Sequence, residues 1–153
     1  MKELVIGCDN AAVGLKKTII DFLDQQKIAY TDVGVSQADD DTYYPNVAEK
    51  VAMAIIDSQY TKEGILICGT GIGMAITANK FKGIYAAVCH DIYSAERARL
   101  SNNANVITMG ARIIGPNLAL KILQEWLSLE FKPSNSSAKL EVIKDIESKN
   151  FKD

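Results

Sequence analysis

One short segment of the sequence has residue types that could carry out chemistry on an anionic molecule. Residues 64–73 read GILICGTGIG, so an apolar run is followed by Cys68 and by three alternate glycines, Gly69, Gly71 and Gly73. A strand, a glycine turn and a helix start place backbone N–H groups around a small anion. The start of the helix would also favour the thiolate form of Cys68. We therefore predict a reactive thiol beside an anion-binding loop.

The glycine turn does not fit the common nucleotide-binding motifs. Position 74 is Met where the dinucleotide fingerprint G-x-G-x-x-G needs glycine, and the turn follows the third predicted strand rather than the first. The P-loop is excluded because the chain contains no Gly-Lys-Ser or Gly-Lys-Thr. A nucleotide-binding sensor module stays as a minor alternative. A tight strand–helix connection without any ligand is the simplest alternative to an anion site.

Apolar patterns along the chain predict the elements that must position this segment. Predicted strands cover 4–8, 28–33, 65–67, 84–88 and 105–109, and predicted helices cover 13–23, 47–56, 74–80, 92–100, 116–127 and about 136–150. Strands and helices that alternate in this way indicate an α/β protein with a five-stranded parallel sheet, helices on both faces and a C-terminal helix. We assign residues 1–153 to a single domain.

Polar residues follow several of the predicted strands, where ligands of parallel sheets collect. They are Asp9, Cys68, the pair His90 and Asp91, and Arg112 after Gly110. Arg112 is the best placed to meet a phosphate. A helix cap explains Asp91 as well as catalysis does. A Cys-His-Asn hydrolase stays formally open, although no nucleophile motif supports it.

Composition and charge indicate an ordinary globular protein. Of the 153 residues, 48% are hydrophobic and 24% are charged, and the net charge of −2 gives no reason to expect a nucleic-acid partner. The three cysteines form no C-x-x-C pair, and we predict that Cys8 and Cys89 are small buried hydrophobes. The first apolar run is too short for a signal peptide or a membrane span, so we predict a cytoplasmic protein. Asp39–Asp41 is most simply a solvated loop, with a metal site as the alternative.

Several motifs occur together in an order that resembles a known enzyme family. They are Gly7-Cys8-Asp9, Tyr44-Pro45, residues 67–73, Ala78-Asn79-Lys80, Tyr93-Ser94-Ala95, Asn105-Val106 and Gly110-Ala111-Arg112. From about residue 3 to residue 147 the chain resembles ribose-5-phosphate isomerase B and the subunits of galactose-6-phosphate isomerase. The resemblance implies a Rossmann-like three-layer sandwich and an aldose–ketose isomerase that works through a cis-enediol, without metal or other cofactor. It also implies a homodimer or tetramer with its sites between subunits.

The resemblance also implies roles for individual residues. Cys68 matches the base that moves a proton between C1 and C2, and Thr70 matches a hydroxyl that assists near the reacting oxygens. Gly69, Gly71 and Gly73 match the loop whose amides stabilise the enediolate.

Further residues match the family's contacts with the rest of the sugar phosphate. Asp9, Tyr44 and Asn102 match contacts to sugar hydroxyls, with Asn102 expected from the partner subunit, and Asn10 lies beside them. Arg112 matches a phosphate ligand. The C-terminal helix is expected to pack on the partner.

The chain departs from the family pattern at four positions that bear on the substrate. Asn10 and Ser101 replace two family histidines, the second of which is proposed to open the sugar ring, while Asn135 and Lys139 stand where two phosphate-binding arginines are expected. Lys139 would keep one positive charge there. Ser101 is a poor proton shuttle at neutral pH.

These departures lead to a hypothesis about the sugar. A tetrose 4-phosphate cannot close a furanose ring, because its O4 is esterified, so its isomerase needs no ring-opening histidine. Residues 90–112 also resemble the branch of the family that acts on erythrulose 4-phosphate in erythritol breakdown. We therefore favour the substrate pair erythrulose 4-phosphate and erythrose 4-phosphate. Ribose 5-phosphate and the role of a galactose-6-phosphate isomerase subunit, which could be non-catalytic, are the alternatives.

Overall fold

The computed structural model describes residues 2–151 of the chain. Its strands are β1 (Leu4–Cys8), β2 (Tyr30–Asp32), β3 (Glu63–Cys68), β4 (Ala86–Val88) and β5 (Val106–Gly110). Its α-helices are α1 (Val13–Gln25), α2 (Tyr44–Asp57), α3 (Ile72–Ala78), α4 (Ile92–Leu100), α5 (Pro116–Ser128) and α6 (Ser137–Asn150), and a short 3-10 helix covers Asn10–Ala12. Across this part of the chain, no helix combines the length and the apolar character needed to span a membrane.

The five strands form one parallel sheet in the order β2-β1-β3-β5-β4. The central strands β1, β3 and β5 carry the apolar runs of the sequence, and most of their residues are fully buried. Strands buried on both faces read as continuous apolar runs, which is why these three stand out in the sequence. From β1 the chain first moves outward to β2 and then crosses back to β3. The order therefore reverses between β1 and β3, which is the position where open α/β sheets bind ligands.

Helices cover both faces of the sheet. Helices α2 and α3 pack on one face, and α5 packs against both α1 and α4 on the opposite face. The core that they enclose includes Trp126 of α5 and Met74 of α3, both without solvent exposure. The predicted Rossmann-like sandwich is confirmed.

The structure adds local detail that the sequence patterns did not predict. Tyr44 and Pro45 were expected before the second helix, yet they form its first turn, where proline fits because its missing N–H would be unpaired anyway. Asp9 accepts the Ala11 N–H and so begins the 3-10 helix. The outer strands β2 and β4 are shorter than the apolar patterns suggested.

A buried ion pair ties the amino end of β3 to the helical layer. Nη1 and Nη2 of Arg99, in α4, donate to the carboxylate of Glu63, at 2.9 and 2.6 Å. The same guanidinium lies 3.9 Å from the ring centroid of Trp126 and also donates to the Ala104 carbonyl. This two-pronged contact joins β3, α4 and α5 at the end of the sheet opposite the carboxyl ends of the strands.

The C-terminal helix α6 is attached mainly by polar contacts. No residue of α6 is buried, and Val142 and Ile146 leave more than half of their surfaces exposed. The Glu147 carboxylate accepts hydrogen bonds from the Gly83 N–H at 2.8 Å and from the Tyr85 hydroxyl at 2.9 Å. The expected packing of α6 on a partner subunit stays a prediction.

Candidate active site

A cleft opens at the carboxyl ends of β1 and β3, at the reversal point of the sheet. Its lining combines residues from the 3-10 helix and its N-cap, the glycine turn, α3, the first turn of α2 and the segment after β5. The lining residues are Asp9, Asn10, Ala11, Tyr44, Cys68, Gly69, Thr70, Ile72, Gly73, Ile76 and Arg112. The cleft thus brings together eight residues that the sequence had marked as candidates.

Cys68 forms the floor of the cleft as the last residue of β3. Only 5% of the residue is exposed, and its Sγ accepts a hydrogen bond from the Gly71 N–H at 3.0 Å. The peptide groups on either side are fixed as well, since the Ile67 carbonyl accepts the Asp9 N–H at 3.3 Å and the Cys68 carbonyl accepts the Ala111 N–H at 2.9 Å. The sulfur therefore has one defined position at the base of the cleft.

The other two cysteines have different surroundings. Cys8 and Cys89 are fully buried, and loss of hydration raises the pKa of each thiol to about 12. The Cys8 thiol donates weakly to the Val35 carbonyl, at 3.5 Å. Both thiols stay protonated near neutral pH, as the prediction of small buried hydrophobes requires.

The glycine turn is held by backbone contacts with β5. Gly71 has φ +75°, a conformation that favours glycine, and a Cβ on it would lie 2.8–2.9 Å from the backbone of Met109. Its carbonyl accepts a hydrogen bond from the Thr108 hydroxyl at 2.8 Å. Gly110 packs as closely, because a Cβ there would lie 2.6 Å from Cα of Thr70. The loop has no room to move toward the sheet.

The three predicted cradle glycines have separate roles in the structure. Gly69 and Gly73 line the cleft, whereas the N–H of Gly71 points to the sulfur of Cys68. Gly73 is the second residue of α3, so the helix itself cannot satisfy its N–H. The Thr70 hydroxyl lies beside it and accepts the Ile72 N–H at 3.3 Å, which leaves its proton available to a ligand.

Two large side chains form the walls over these glycines. A Cβ on Gly73 would lie 2.5 Å from the ring of Tyr44, so the ring rests directly on the loop. A Cβ on Gly69 would lie 3.3 Å from Nη1 of Arg112, which places the guanidinium over the turn. The Arg112 N–H also donates to the Gly69 carbonyl at 3.0 Å.

Asp9 and Arg112 give the cleft its charge. Burial raises the pKa of the Asp9 carboxyl, while the Ala11 N–H and the positive charge of Arg112 act in the opposite direction. Asn10 is exposed next to Asp9 and supplies an amide to the same wall. A cation, a carboxylate and neutral donors around one thiol suit a small polar ligand that carries an anionic group.

Two predicted site residues lie outside this cleft. Asn102 is exposed after the end of α4 and lines a separate depression against α6. Lys139 lies exposed in the first turn of α6. Neither residue lines the cleft of its own chain. The contribution of Asn102 from a partner subunit therefore stays a prediction.

The acidic loop around Asp40 is held by a local hydrogen bond. Asp40 accepts the Thr42 N–H at 2.9 Å, and this contact with Thr42 lowers the pKa of its carboxyl. Within residues 2–151, no three His, Cys, Asp or Glu side chains are grouped closely enough to hold a metal ion. Asp39 and Asp41 are exposed, as the expected solvated loop requires.

Comparison with known proteins places this architecture in a family. The profile of the family described as Ribose/Galactose Isomerase matches residues 4–143. The chain belongs to the ribose/galactose isomerase family. This confirms the resemblance on which the assigned residue roles were based, and it places the cleft around Cys68 in a family of sugar isomerases.

Individual members of the family are similar over nearly the whole chain. A protein named ribose-5-P isomerase B from Listeria innocua is 50% identical over 148 residues, which is 97% of this chain and 99% of that protein. A D-erythrulose-4-phosphate isomerase from Pectobacterium atrosepticum is 51% identical over 143 residues, or 94% and 93% of the two chains. The solved ribose-5-phosphate isomerase B of Clostridium thermocellum superposes with a TM-score of 0.92 at 38% identity and covers 97% of this chain and 99% of its own.

Some features of the site were not predicted from the sequence. Ile72 and Ile76 line the cleft although 54% and 58% of their surfaces are exposed. Their spacing of four residues on one face of α3 was the available signal. A second unpredicted feature is the hydrogen bond from the Gly110 N–H to Nε2 of His90, at 2.9 Å, which depends on β4 and β5 being neighbours.

Proposed function

We propose that this protein interconverts the aldose and ketose forms of a small phosphorylated sugar through a cis-enediol. The observation that carries the proposal is the position of Cys68, whose sulfur lies at the floor of a cleft between a glycine turn and Arg112. The Cys68 thiolate removes the proton from C2 of the aldose, and the resulting thiol returns a proton to C1 to give the ketose. Metal and nucleotide have no part in this reaction.

The remaining cleft residues divide the tasks of this reaction. The Thr70 hydroxyl transfers the proton between the two substrate oxygens, and the N–H groups at Gly69 and Gly73 stabilise the enediolate charge. Asp9, Asn10 and Tyr44 line the path of the sugar chain and bind its hydroxyls.

We assign the substrate phosphate to Arg112, which is the cation of the cleft. Lys139 of a partner subunit would add a second positive charge. Both groups suit a phosphate, and Arg112 can bind it with two parallel hydrogen bonds.

We favour a tetrose 4-phosphate as the substrate, in the pair erythrulose 4-phosphate and erythrose 4-phosphate. Ser101 follows α4 immediately before Asn102, and its hydroxyl accepts a hydrogen bond from Nη1 of Arg97 at 3.4 Å. A hydroxyl in this position does not titrate near neutral pH, so it is a poor group for opening a sugar ring. A tetrose 4-phosphate needs no such group. This substrate would place the reaction in erythritol breakdown, and the named activity of the Pectobacterium relative is consistent with it.

A coupled isomerase assay across four substrates tests this assignment. We expect the highest kcat/KM with erythrose 4-phosphate, compared with ribose 5-phosphate, allose 6-phosphate and galactose 6-phosphate. Efficient turnover of ribose 5-phosphate without turnover of erythrose 4-phosphate would overturn the tetrose assignment and leave the reaction class intact. No turnover of any of the four sugars by the purified protein would contradict the isomerase proposal for the chain acting alone.

Ribose 5-phosphate is the second candidate. The Listeria relative, whose identity to this chain is nearly the same as that of the Pectobacterium relative, is named for it. A subunit of a galactose-6-phosphate isomerase is the third, and it would show activity only after mixing with a different chain. Activity of the homo-oligomer alone would distinguish a catalytic chain from such a subunit. Cys68 and the complete glycine turn favour a catalytic chain, whereas Asn10 and Ser101 are the departures that favour a non-catalytic one.

We further propose that the active form is a homodimer, or a tetramer built from such dimers, with sites between subunits. Ile72 and Ile76 are exposed beside the cleft, and Ile92 and Tyr93 are exposed on α4. Apolar surface next to a polar cleft suits coverage by another subunit, which would bring Asn102 of the partner to the site. The three unpaired, buried cysteines suit a reducing compartment, so we place the enzyme in the cytoplasm.

A further inference from the structure

The single histidine of the chain occupies an unusual position at the edge of the sheet. His90 follows β4, and the β4–β5 pairing ends just before it, with the Cys89 N–H donating to the Thr108 carbonyl at 2.9 Å. Beyond that point, the Gly110 N–H donates to Nε2 of His90 at 2.9 Å. The imidazole thus takes the place of the backbone carbonyl that a longer β4 would supply.

The residue held by this hydrogen bond is the start of the turn that carries Arg112. The Gly110 carbonyl accepts the N–H groups of Ile113 and Ile114, at 3.0 and 3.2 Å, which closes the turn. Gly110 also contacts the backbone of Thr70, so close that a Cβ would approach it to 2.6 Å. A displacement of Gly110 would therefore move Arg112 and Thr70 together.

The neighbouring residue already serves as the cap of α4. Asp91 accepts the Ser94 N–H at 2.7 Å and the Ser94 hydroxyl at 2.6 Å. Capping therefore accounts for Asp91 and leaves the orientation of His90 unexplained. The contact with Gly110 is the specific interaction that the His90 ring makes.

We infer that His90 is a positioning residue for the active site, because its neutral imidazole accepts the Gly110 N–H and fixes the turn that places Arg112 over the glycine loop. It does not touch the cleft itself, since it is not among the lining residues. The inference rests on the proposed function insofar as Arg112 binds the substrate phosphate.

The arrangement requires one protonation state and one tautomer of the ring. An N–H group can donate only to an unprotonated Nε2, so the ring proton must lie on Nδ1. Burial lowers the pKa of His90, and the Asp91 carboxylate acts in the opposite direction. The elements that pack most closely against β4 are α3 (Ile72–Ala78) and β5, which contain no charged residue, whereas α4, which begins at Ile92, carries Glu96, Arg97 and Arg99. Among these groups, Asp91 is the charge that acts on the ring.

Acid should therefore weaken substrate binding through His90. As the pH falls through the pKa of the folded state, which lies below the ordinary value of about 6.5, Nε2 gains a proton and the hydrogen bond is lost. The turn is then free to shift, and the KM for the phosphosugar rises. Since the substrate phosphate also titrates in acid, the useful quantity is the ratio of KM values of two variants at the same pH.

The matched variants are His90→Gln and His90→Leu. The side-chain oxygen of Gln can reach the position of Nε2 and accept the Gly110 N–H without titrating, whereas Leu cannot accept it. At pH 7.5 we expect His90→Leu to raise KM by about threefold to tenfold with a smaller change in kcat, and His90→Gln to keep the KM of the parent. As the pH falls, the KM of the parent should rise relative to that of His90→Gln. Equal KM values for all three proteins, or a parallel pH dependence of parent and His90→Gln, would overturn the inference.

A measurement on the untagged parent protein tests the contact without any activity. Because the chain contains one histidine, ¹⁵N-correlated NMR shows a single imidazole, and at pH 7.5 we expect the tautomer with the proton on Nδ1. A proton on Nε2 would overturn the inference even if the enzyme is an isomerase. If no sugar phosphate is turned over while the Nδ1–H tautomer and slow exchange of the Gly110 amide are observed, the proposed function fails and the contact itself stands.

Discussion

The three cysteines show how position changes the chemistry of one residue type. All three lie at or next to strand ends on the carboxyl side of the sheet, yet Cys68 is the one whose sulfur meets the cleft and accepts a backbone N–H. The thiols of Cys8 and Cys89 are fully buried, with pKa values raised to about 12. The loop that follows a strand therefore determines whether a cysteine at the end of that strand meets the cleft or is enclosed in the core.

Replacement of Cys68 is the most direct test at this scale. Cys68→Ser keeps the size of the side chain but removes the base, so we expect kcat/KM to fall by about 100-fold to 10,000-fold with little change in thermal stability. Cys8→Ala is the matched control and should retain the kcat of the parent. Retention of most activity by Cys68→Ser would point to a different base, and Asp9 would be the next residue to replace.

The proposed binding of phosphate by Arg112 can be tested separately from catalysis, because its loss should change KM more than kcat. Arg112→Ala should raise KM for the phosphosugar by roughly tenfold to 100-fold, because it removes charge-assisted hydrogen bonds to phosphate, with a smaller effect on kcat. Arg112→Lys should recover part of this loss, since it keeps the charge without the planar fork. Lys17→Ala, which removes an exposed charge on α1, is the control. An unchanged KM in Arg112→Ala would remove this residue from the phosphate site.

At the scale of elements, the glycine turn behaves as a rigid part of the sheet. Its backbone contacts Met109 and Thr108 of β5, and it holds Cys68 and Gly73 in fixed relation to each other. Sequence alone predicted a turn and a helix start at this point. It did not predict that the turn packs against β5, because the contact between Gly71 and Thr108 joins residues nearly 40 positions apart in the chain.

A substitution at Gly71 tests this rigidity. Gly71→Ala should lower the free energy of unfolding by at least about 2 kcal/mol, because the residue has a positive φ and its Cβ would meet the backbone of Met109. Gly14→Ala on α1 is the control, since no atom lies within 4 Å of its added Cβ, and it should stabilise the protein by about 0.5–1 kcal/mol. Urea unfolding of both variants measures the difference. Equal midpoints would show that the turn adapts to a side chain.

The elements themselves were largely predictable, and their long-range contacts were not. Continuous apolar runs identified β1, β3 and β5 because these strands are buried on both faces. The first turn of α2 was missed because Tyr44 and Pro45 do not continue the apolar periodicity of the helix. A proline at this position is also typical of a loop. The bond between His90 and Gly110 could not be read from the chain, since it requires knowledge of which strands are neighbours.

At the scale of the whole molecule, the location of Asn102 predicts that the active site is shared between subunits. Cys68→Ala and Asn102→Ala should each be inactive or nearly so when pure. If the partner supplies Asn102, a mixed dimer of the two variants contains one site with both native residues. Co-refolding equal amounts should therefore restore about a quarter of the parent activity, because about half of the dimers are mixed and one of their two sites is native.

The alternative arrangement gives a different result in the same experiment. If Asn102 acted within its own chain, no mixed dimer would contain a native site and activity would not return. Mixing Cys68→Ala with Cys68→Ser is the control, since no mixed dimer then contains a site with a native Cys68 and complementation is not expected.

The ion pair of Glu63 and Arg99 has a consequence for engineering this enzyme. Glu63 and Cys68 are the two ends of the same strand, about 16 Å apart at the usual rise of a β-strand. This ion pair therefore lies at one end of β3, and the cleft around Cys68 lies at the other. A designer who seeks a heat-resistant catalyst can repack the core around Trp126 far from this cleft, provided that Arg99 is kept, because Ser101 and Asn102 follow it at the end of α4.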